Sequence, residues 1–338
     1  MEKVLKCEKI FEFLEKIKNK GKLIAPVEED GVILFREIKD IGEINFSYKN
    51  SLKPPNEFLF PQNEVLFKFS KEKGEIKLTD LELKENFIIF GIHPCDVRSI
   101  KIFDNVFRKD YLDKYYDERR KNSLIISLGC QDVDKTCFCT TFGIEPAFSE
   151  ESDISMLEID DKYYLKSFTE KGDNLIKEEE GLFEEVSSEM VSVFENKKKE
   201  IREKIKEKFK VDGLPEKLEN LYDSQIWKRV SLMCIGCGIC TYTCPTCYCF
   251  DIRDEDLGKE GCRFRCWDSC QFKDFTQEAS GHNPRPTKRE RQKQRYFHKF
   301  NYFFKRYADY ACVGCGRCVR LCPVNIDLRE IIREVGSR

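Results

Sequence analysis

The alternation of apolar and polar positions predicts that the amino-terminal half of the chain mixes helices and strands. Ile10, Leu14 and Ile17 fall on one helical face, which predicts an amphipathic helix near the amino terminus. Short β-rich segments, punctuated by Gly and Pro, follow it at residues 32–38, 44–48 and 65–69.

The clearest unit in this half is a predicted βαβ crossover. Residues 87–92 form a continuous apolar run of strand length, residues 97–121 have helical periodicity, and residues 123–129 form a second apolar run. Because strand, helix and strand follow one another directly, we expect the two strands to be parallel neighbours in one sheet. The pattern therefore predicts an α/β domain over residues 1–150.

The rest of the chain divides into two parts with different patterns. Residues 151–229 are rich in Lys and Glu, with the i,i+4 charge spacing of an exposed helix, and predict a charged helical connecting arm without chemistry of its own. Residues 230–338 contain 13 of the 18 cysteines and form the third part.

Composition narrows the class of protein. The 338 residues, 41% hydrophobic and 36% charged, suit roughly two or three globular domains with a heavily charged surface. The formal net charge of −2 gives no argument for a nucleic-acid partner. No apolar run approaches the roughly 18 residues of a membrane span, and the amino-terminal segment lacks the apolar core of a secretory signal. We therefore expect a cytoplasmic protein with no membrane partner.

Cysteine is the unusual component of this composition. In a reducing compartment disulfides are rare, and clustered thiols usually bind metal. Two segments share the spacing C-x2-C-G-x-C-x3-C-P. The first contains Cys234, Cys237, Cys240 and Cys244, and the second contains Cys312, Cys315, Cys318 and Cys322.

This spacing is typical of [4Fe–4S] clusters. A short glycine-containing loop supplies three thiolates, and in two-cluster ferredoxins the fourth cysteine of each segment binds the other cluster. We therefore predict cluster site 1 at Cys234, Cys237, Cys240 and Cys322, and cluster site 2 at Cys312, Cys315, Cys318 and Cys244. Structural zinc is the alternative, but zinc sites usually pair two C-x2-C segments or add His.

Four further thiols are expected together at one edge of the predicted sheet. Cys95 follows the first strand of the βαβ unit and Cys130 follows the second, so parallel strands would bring both to the edge where α/β sheets form binding crevices. Cys137 and Cys139 follow in the next loop. These four thiols suit a third cluster at what we call site 3, with His93 as a structural partner of the loop and not a ligand. The alternative is that they are buried or merely reducible thiols.

A fourth group of candidate ligands follows the first cysteine repeat. Cys247 and Cys249 come directly after Pro245, and Cys270 lies further along the chain. His282 is the candidate fourth ligand of this group, site 4, because imidazole can replace thiolate on an iron–sulfur centre. Three thiols and a distant His leave the argument for a cluster at site 4 incomplete.

Three cysteines have no assigned site. Cys262 and Cys266 step by four towards Cys270, so all three would share a face if the segment were helical. These two residues are either alternative ligands or packing residues. Cys7 is interpreted as an ordinary helix residue.

No nucleotide-binding or catalytic motif accompanies the cysteines. The Gly-Cys-Gly triplets of the two repeats begin like a dinucleotide fingerprint, but the third glycine and the preceding buried strand are missing. No phosphate-binding loop of the Walker type is found either. The sequence therefore predicts an outer-sphere electron carrier with no catalytic residues of its own, whose electron donor and acceptor lie on other chains.

A basic stretch over residues 284–306 carries nine Lys and Arg against one acidic residue, interleaved with aromatics. This pattern is typical of nucleic-acid binding. The competing interpretation is that these cations offset the negative charge of nearby clusters, adjust their reduction potentials and dock an acidic redox partner. We prefer the second interpretation, because the stretch lies between the two cysteine repeats and the total charge is near zero.

Seven stretches of the sequence resemble those of a known family. The resemblance is carried by GKLIAPVEEDGVILFREI, GIHPCDVRSIKIFD, CFC, CPTCYC, RFRCWDSCQF, SGHNPRPTKRERQKQRY and YACVGCGRCVRLCPVNI. They are similar to the iron–sulfur β subunit of cytosolic [NiFe] sulfhydrogenases, and to the corresponding iron–sulfur subunit of anaerobic sulfite reductase in the same wider family. The family pattern also matches all candidate ligands of sites 3 and 4, but not Cys262 or Cys266.

The resemblance implies partners as well as cofactors. The chain would pass electrons between a subunit that binds FAD and NAD(P)H and a catalytic subunit, either a [NiFe] hydrogenase or a sirohaem sulfite reductase. Two [4Fe–4S] clusters and one or two further iron–sulfur clusters are implied. A zinc-stabilised nucleic-acid-binding module remains as a different class of function.

The predicted fold class is α+β. We expect an amino-terminal α/β domain with a βαβ unit, the charged arm, and a carboxy-terminal, mostly α-helical module like a two-cluster [4Fe–4S] ferredoxin over residues 230–338.

Overall fold

Helices and strands occur in both halves of the chain in the computed structural model, which describes residues 1–72, 74–81, 85–207 and 209–338. The strands are β1 (Glu2–Lys6), β2 (Lys22–Glu29), β3 (Val32–Glu37), β4 (Asn63–Glu72), β5 (Glu75–Asp80), β6 (Phe87–Ile92), β7 (Ser123–Leu128), β8 (Ile154–Ile159), β9 (Lys162–Ser167), β10 (Phe183–Glu184), β11 (Phe250–Asp256) and β12 (Glu260–Trp267). The α-helices are α1 (Ile10–Lys18), α2 (Pro94–Arg108), α3 (Lys114–Lys121), α4 (Glu170–Glu178), α5 (Ser188–Lys204), α6 (Leu214–Asn220), α7 (Ile226–Met233), α8 (Ile239–Tyr242), α9 (Lys288–Phe297), α10 (Phe303–Tyr307), α11 (Arg317–Arg320) and α12 (Leu328–Gly336).

A large mixed sheet forms the amino-terminal part of the molecule. Its strand order is β10-β1-β9-β8-β7-β6-β2-β3. At its centre β6 and β7 are parallel neighbours, with Phe87 opposite Ser123, so the predicted βαβ unit is confirmed. Strands β2 and β8 extend the parallel core on either side. Apolar side chains of α1 and α2 pack on this sheet, which separates two hydrophobic clusters.

The predicted single helix after β6 is two helices. Helix α2 ends at Arg108, and α3 begins at Lys114. The carboxylate of Asp113 accepts a hydrogen bond from the backbone N–H of Tyr116 and so caps the second helix. This cap starts a new helix where apolar periodicity alone predicts a continuous one.

The structure of the amino-terminal segment agrees only in part with the helix that its hydrophobic pattern predicts. Ile10, Leu14 and Ile17 are buried in α1, as predicted. The residues before them form β1, which pairs with β9 more than 150 positions away along the chain, a contact that local periodicity does not encode. The β-rich segment 44–48 contributes only an isolated bridge between Val27 and Ile44.

Part of the predicted connecting arm belongs to the sheet. Residues 154–184 contribute β8, β9 and β10, and β8 is buried along nearly its whole length beside β7. The expectation of a helical arm over residues 151–229 therefore differs from the structure. The Lys- and Glu-rich segment is helical in α5, whose buried side chains are Phe194 and Ile201.

The carboxy-terminal part is mixed as well. Helices α6, α7, α9 and α12 pack around Trp227 and Phe300, which agrees with the mostly helical prediction. The hairpin of β11 and β12 instead pairs with β4, giving a second sheet of order β11-β12-β4-β5. The α+β class is confirmed, and this shared sheet joins the two ends of the sequence. Over the described residues, no helix combines the length and apolar character that a membrane crossing requires.

Candidate metal centres

The two cysteine repeats fold into the same local structure. Gly236 and Gly238 in the first repeat have φ of +77° and +78°, and Gly314 and Gly316 in the second have +64° and +76°. The second glycine of each pair starts a short helix, α8 or α11. Glycine adopts this left-handed conformation without steric cost, so each loop turns sharply between its cysteines.

Site 1 is a cavity to which both repeats contribute. It is lined by the thiols of Cys234, Cys237, Cys240 and Cys322. The backbone N–H of Gly236 donates to the sulfur of Cys234, and that of Ile326 donates to Cys322, each at 3.3 Å. The amide Nε2 of Gln292 lies 3.0 Å from the sulfur of Cys234. Such donors stabilise thiolates and help set the potentials of iron–sulfur clusters.

Site 2 is a neighbouring cavity with cysteines from both repeats. It is lined by the thiols of Cys244, Cys312, Cys315 and Cys318. The ammonium of Lys299 lies 3.2 Å from the sulfur of Cys244 and 2.9 Å from Oγ1 of Thr246. A hydrogen bond from Cys247 and this ammonium together hold the pKa of the Cys244 thiol well below its usual range. The thiolate is the form that binds metal, so the site favours a ligand role.

Site 3 lies at the carboxyl edge of β6 and β7. Its cavity is lined by the thiols of Cys95, Cys130, Cys137 and Cys139. Burial raises the pKa of the Cys95 and Cys130 thiols well above the usual value. The ring nitrogens of His93 face the carbonyl oxygens of Leu128 and Tyr48 at 3.0 and 3.1 Å. These contacts occupy both nitrogens, in accord with a structural role for His93.

The structure brings together two of the three site 4 thiols, those of Cys249 and Cys270. Cys249 and Cys270 share a hydrogen bond, which lowers the pKa of Cys270 to about 6 and raises that of Cys249. Cys247 bonds to Cys244 of site 2. His282 is exposed on a turn in which its backbone, not its ring, bonds to Ser280 and Glu278.

Cys262 and Cys266 do not continue this group on a helix. Both lie on β12, where Cys262 is opposite Glu255 and Cys266 is opposite Asp251 of β11. Cys270 lies beyond the end of the strand. The helical face that their spacing suggested is therefore absent, because strand pairing with β4 and β11 sets the local backbone.

Two comparisons with known proteins bear on these sites. A family model described as a 4Fe-4S dicluster domain matches residues 233–326. The chain is also 33% identical over 325 residues to the sulfhydrogenase 2 subunit beta of Pyrococcus furiosus, an alignment that covers 96% of this chain and 95% of that protein. This chain belongs to the sulfhydrogenase β-subunit family. It is an iron–sulfur electron-transfer subunit, and the family resemblance predicted from its motifs is confirmed.

In this sulfhydrogenase β-subunit homologue, three buried cations accompany the thiols. Arg295 lines the cavities of both site 1 and site 2, and Lys299 lines site 2. Arg317 forms a bidentate pair with Asp96 at 2.6 Å for each bond, between Cys95 of site 3 and Cys315 of site 2. The basic stretch predicted cations near the clusters but did not single out Arg295 and Lys299, and it does not include Arg317. The spacing of Arg295 and Lys299 could have singled them out, because these two residues share one helical face with Gln292.

The donor sets fit iron–sulfur clusters better than a single metal ion. Nowhere in the described ranges do three His, Cys, Asp or Glu side chains converge closely enough to hold one ion. A zinc site requires four ligands at about 2.0–2.3 Å from one point. The thiols of sites 1, 2 and 3 instead line cavities, in which several iron atoms would separate the sulfurs. Buried cations beside these cavities would offset the negative charge of such clusters.

Proposed function

We propose that this protein relays electrons inside a multi-subunit oxidoreductase, between a subunit that binds FAD and NAD(P)H and a catalytic subunit. The observation that carries this proposal is the continuity of the thiol-lined cavities. Cys318 lines both site 1 and site 2, and Cys315 lines both site 2 and site 3. Three adjoining sites form a series, which suits stepwise electron transfer through the protein.

The proposed ligands are those of the sequence argument. Sites 1, 2 and 3 would each hold one [4Fe–4S] cluster on four cysteines, and site 4 would use Cys247, Cys249 and Cys270. His282, which is exposed, is left out of this set. A bound cluster supplies a reversible one-electron couple, whose potential the protein sets through hydrogen bonds, burial and local charge. The chain itself contributes the thiolates, the N–H donors of the loops and the buried cations.

One end of the series lies at the protein surface. Cys237 of site 1 is exposed, and the apolar side chains of Leu232 and Ile235 beside it are 76% and 61% exposed. Cys139 of site 3 is buried. Since electron transfer between proteins needs a close approach of the cofactors, we propose that a partner protein docks beside site 1.

The catalytic partner is proposed to be a [NiFe] hydrogenase, because the matched relative is a sulfhydrogenase β subunit. An anaerobic sulfite reductase is the alternative partner, since the iron–sulfur component of that enzyme shares the motifs of this chain. A cytoplasmic location is part of the proposal.

Nucleic-acid binding is disfavoured because Arg291, Arg295 and Lys299 of the basic stretch are buried and unable to reach a phosphate backbone.

The decisive experiment is anaerobic purification of the native complex with metal and sulfide analysis. We expect a brown protein with iron and acid-labile sulfide, and a reducible paramagnetic signal from this subunit. Nickel in the co-purifying chains would support the hydrogenase assignment, and a sirohaem absorption band would support the sulfite reductase instead. A colourless protein that contains zinc would refute the electron-relay function.

A further inference from the structure

Helix α9 and the helical turn that continues it place three side chains against the cluster cavities. Gln292 contacts Cys234 of site 1, and Lys299 contacts Cys244 of site 2. Arg295 lies between them in the sequence and on the same helical face, since the spacing is three and then four residues. Of these three side chains, that of Arg295 therefore lies between the residue that contacts site 1 and the residue that contacts site 2.

Arg295 has hydrogen-bonding capacity that the protein does not use. It is 4% exposed, and within the described chain its Nε and Nη2 atoms have no hydrogen-bond partner. Buried guanidinium groups are costly unless paired. Arg317 shows the ordinary solution, because its Nη1 and Nη2 both bond to Asp96. The unpartnered atoms of Arg295 point to an anionic group that the polypeptide does not supply.

The surroundings of Arg295 indicate which anionic group would partner its guanidinium. Arg295 lines the site 1 cavity and also the site 2 cavity. The thiols of Cys240 and Cys318 lie close enough to interact electrostatically with its guanidinium, which keeps its charge in proteins. Cys240 belongs to site 1, and Cys318 lines both cavities.

We infer that Arg295 is a shared positioning residue, whose guanidinium donates hydrogen bonds to the clusters of both site 1 and site 2 and raises both reduction potentials. This inference rests on the proposed function, and it specifies how the protein sets the reduction potentials of the clusters at sites 1 and 2. Each one-electron reduction adds one negative charge to a cluster, which a buried cation stabilises. A planar group with donors on several edges can serve two neighbouring anions, whereas an ammonium acts as a point charge.

The test compares cluster potentials in variants of the full-length protein within its complex. Arg295→Gln should lower the midpoint potentials of both clusters. At a fixed potential we expect the reduced-to-oxidised ratio to fall about tenfold for each cluster, which corresponds to about 59 mV for a one-electron couple. Redox titration monitored by electron paramagnetic resonance measures this ratio, and iron analysis verifies that both clusters are present.

Arg291→Gln is the matched control. Arg291 is buried on the same helix one turn earlier, and its Nε also has no partner among the described residues. Its Nη1, however, bonds to the carbonyl oxygens of Arg285 and Pro286, and it lines neither cavity. We expect both potentials of this variant to match those of the unmodified protein. Equal shifts in the Arg291 and Arg295 variants would overturn the inference, as would unchanged potentials in Arg295→Gln with full iron content.

Arg295→Lys keeps the inference testable if Arg295→Gln fails to assemble its clusters. Lysine retains the positive charge but lacks the several N–H donors of the planar guanidinium. With full iron content we therefore expect at least one of the two reduction potentials to fall. Two unchanged potentials in Arg295→Lys would then contradict the shared role. Absence of iron and sulfide in the unmodified protein would instead refute the proposed function, so the two failures are distinguishable.

Discussion

At the scale of single residues, function depends on which thiols meet and on which charges lie beside them. Sites 1 and 2 each combine cysteines from both repeats, so Cys244 and Cys322 are exchanged between the loops that carry them. Buried cations accompany these thiols, and two of the three have a partner within the protein. Lys299 contacts Cys244, and Arg317 pairs with Asp96. Single substitutions should therefore have effects at a distance from their own segment.

Cys244→Ser should damage the cluster of site 2, although Cys244 belongs to the first repeat. The reason is that its sulfur lines the cavity of Cys312, Cys315 and Cys318. Iron analysis and the paramagnetic signal of each cluster would measure the loss. Cys322→Ser is the reciprocal control, with loss expected at site 1. Loss confined to site 1 in Cys244→Ser would contradict the exchange of ligands.

Asp96→Asn should lower the free energy of unfolding by about 3–5 kcal/mol, because it leaves the buried Arg317 charge without its counter-ion. Chemical denaturation under anaerobic conditions measures this change. Arg317→Met combined with Asp96→Leu should cost less than the sum of the two single changes, since the pair is removed as a unit. Strictly additive costs would show that the two residues are not coupled.

At the scale of elements, the two cysteine loops are alike in backbone but differ in their neighbours. A Cβ on Gly314 would lie 2.6 Å from the Cα and N of Cys139 in site 3. A Cβ on Gly236, the equivalent position of the first repeat, would have no described atom within 4 Å. At this position the second loop is therefore packed against the amino-terminal domain, whereas the first has open space beside it.

Gly314→Ala should accordingly lose iron from sites 2 and 3, because the loop and the Cys139 backbone must separate. Gly236→Ala has a similar positive φ and is the matched control. Its free energy of unfolding should fall only by the cost of a left-handed alanine, about 1–2 kcal/mol, and it should keep all its iron. Iron content per chain is the measurement, and equal iron losses in the two variants would contradict this packing argument.

At the scale of the whole molecule, the cysteine-rich module and the amino-terminal sheet are joined by several direct contacts. Strand β12 pairs with β4. The side-chain amide of Asn50 donates to the carbonyl oxygen of Cys315 at 2.7 Å, and that of Asn56 donates to Pro245 at 2.6 Å. The thiols of site 3 lie on the sheet edge that faces the second repeat. Cluster binding and folding should therefore be linked across the chain.

Removal of iron by a chelator should lower the melting temperature of the whole chain, because the clusters bind the folded state and stabilise both parts together. Calorimetry of the loaded and depleted protein measures this effect. We expect one cooperative transition for the loaded protein. A separate transition of the amino-terminal sheet, at a temperature unchanged by iron removal, would contradict the linkage.

Much of the candidate site could be predicted because its signals are local. Cysteine spacing indicated sites 1 and 2, and the position of Cys95 and Cys130 after two parallel strands indicated site 3. The position of His282 could not be predicted in this way. Turns separate His282 from the thiols along the chain, and local spacing does not fix where such turns lead. The structure places His282 on an exposed turn.

The sequence by itself determined the α+β class and the βαβ unit, and it predicted the exchange of ligands between the repeats, because each depends on periodicity or fixed spacing. Only the tertiary structure decided that residues 154–184 complete the large sheet, that β12 joins β4, and that Arg295 lies between two cavities. The physical reason is that strand pairing and burial of a charge are settled by distant partners, whose identity no local pattern specifies.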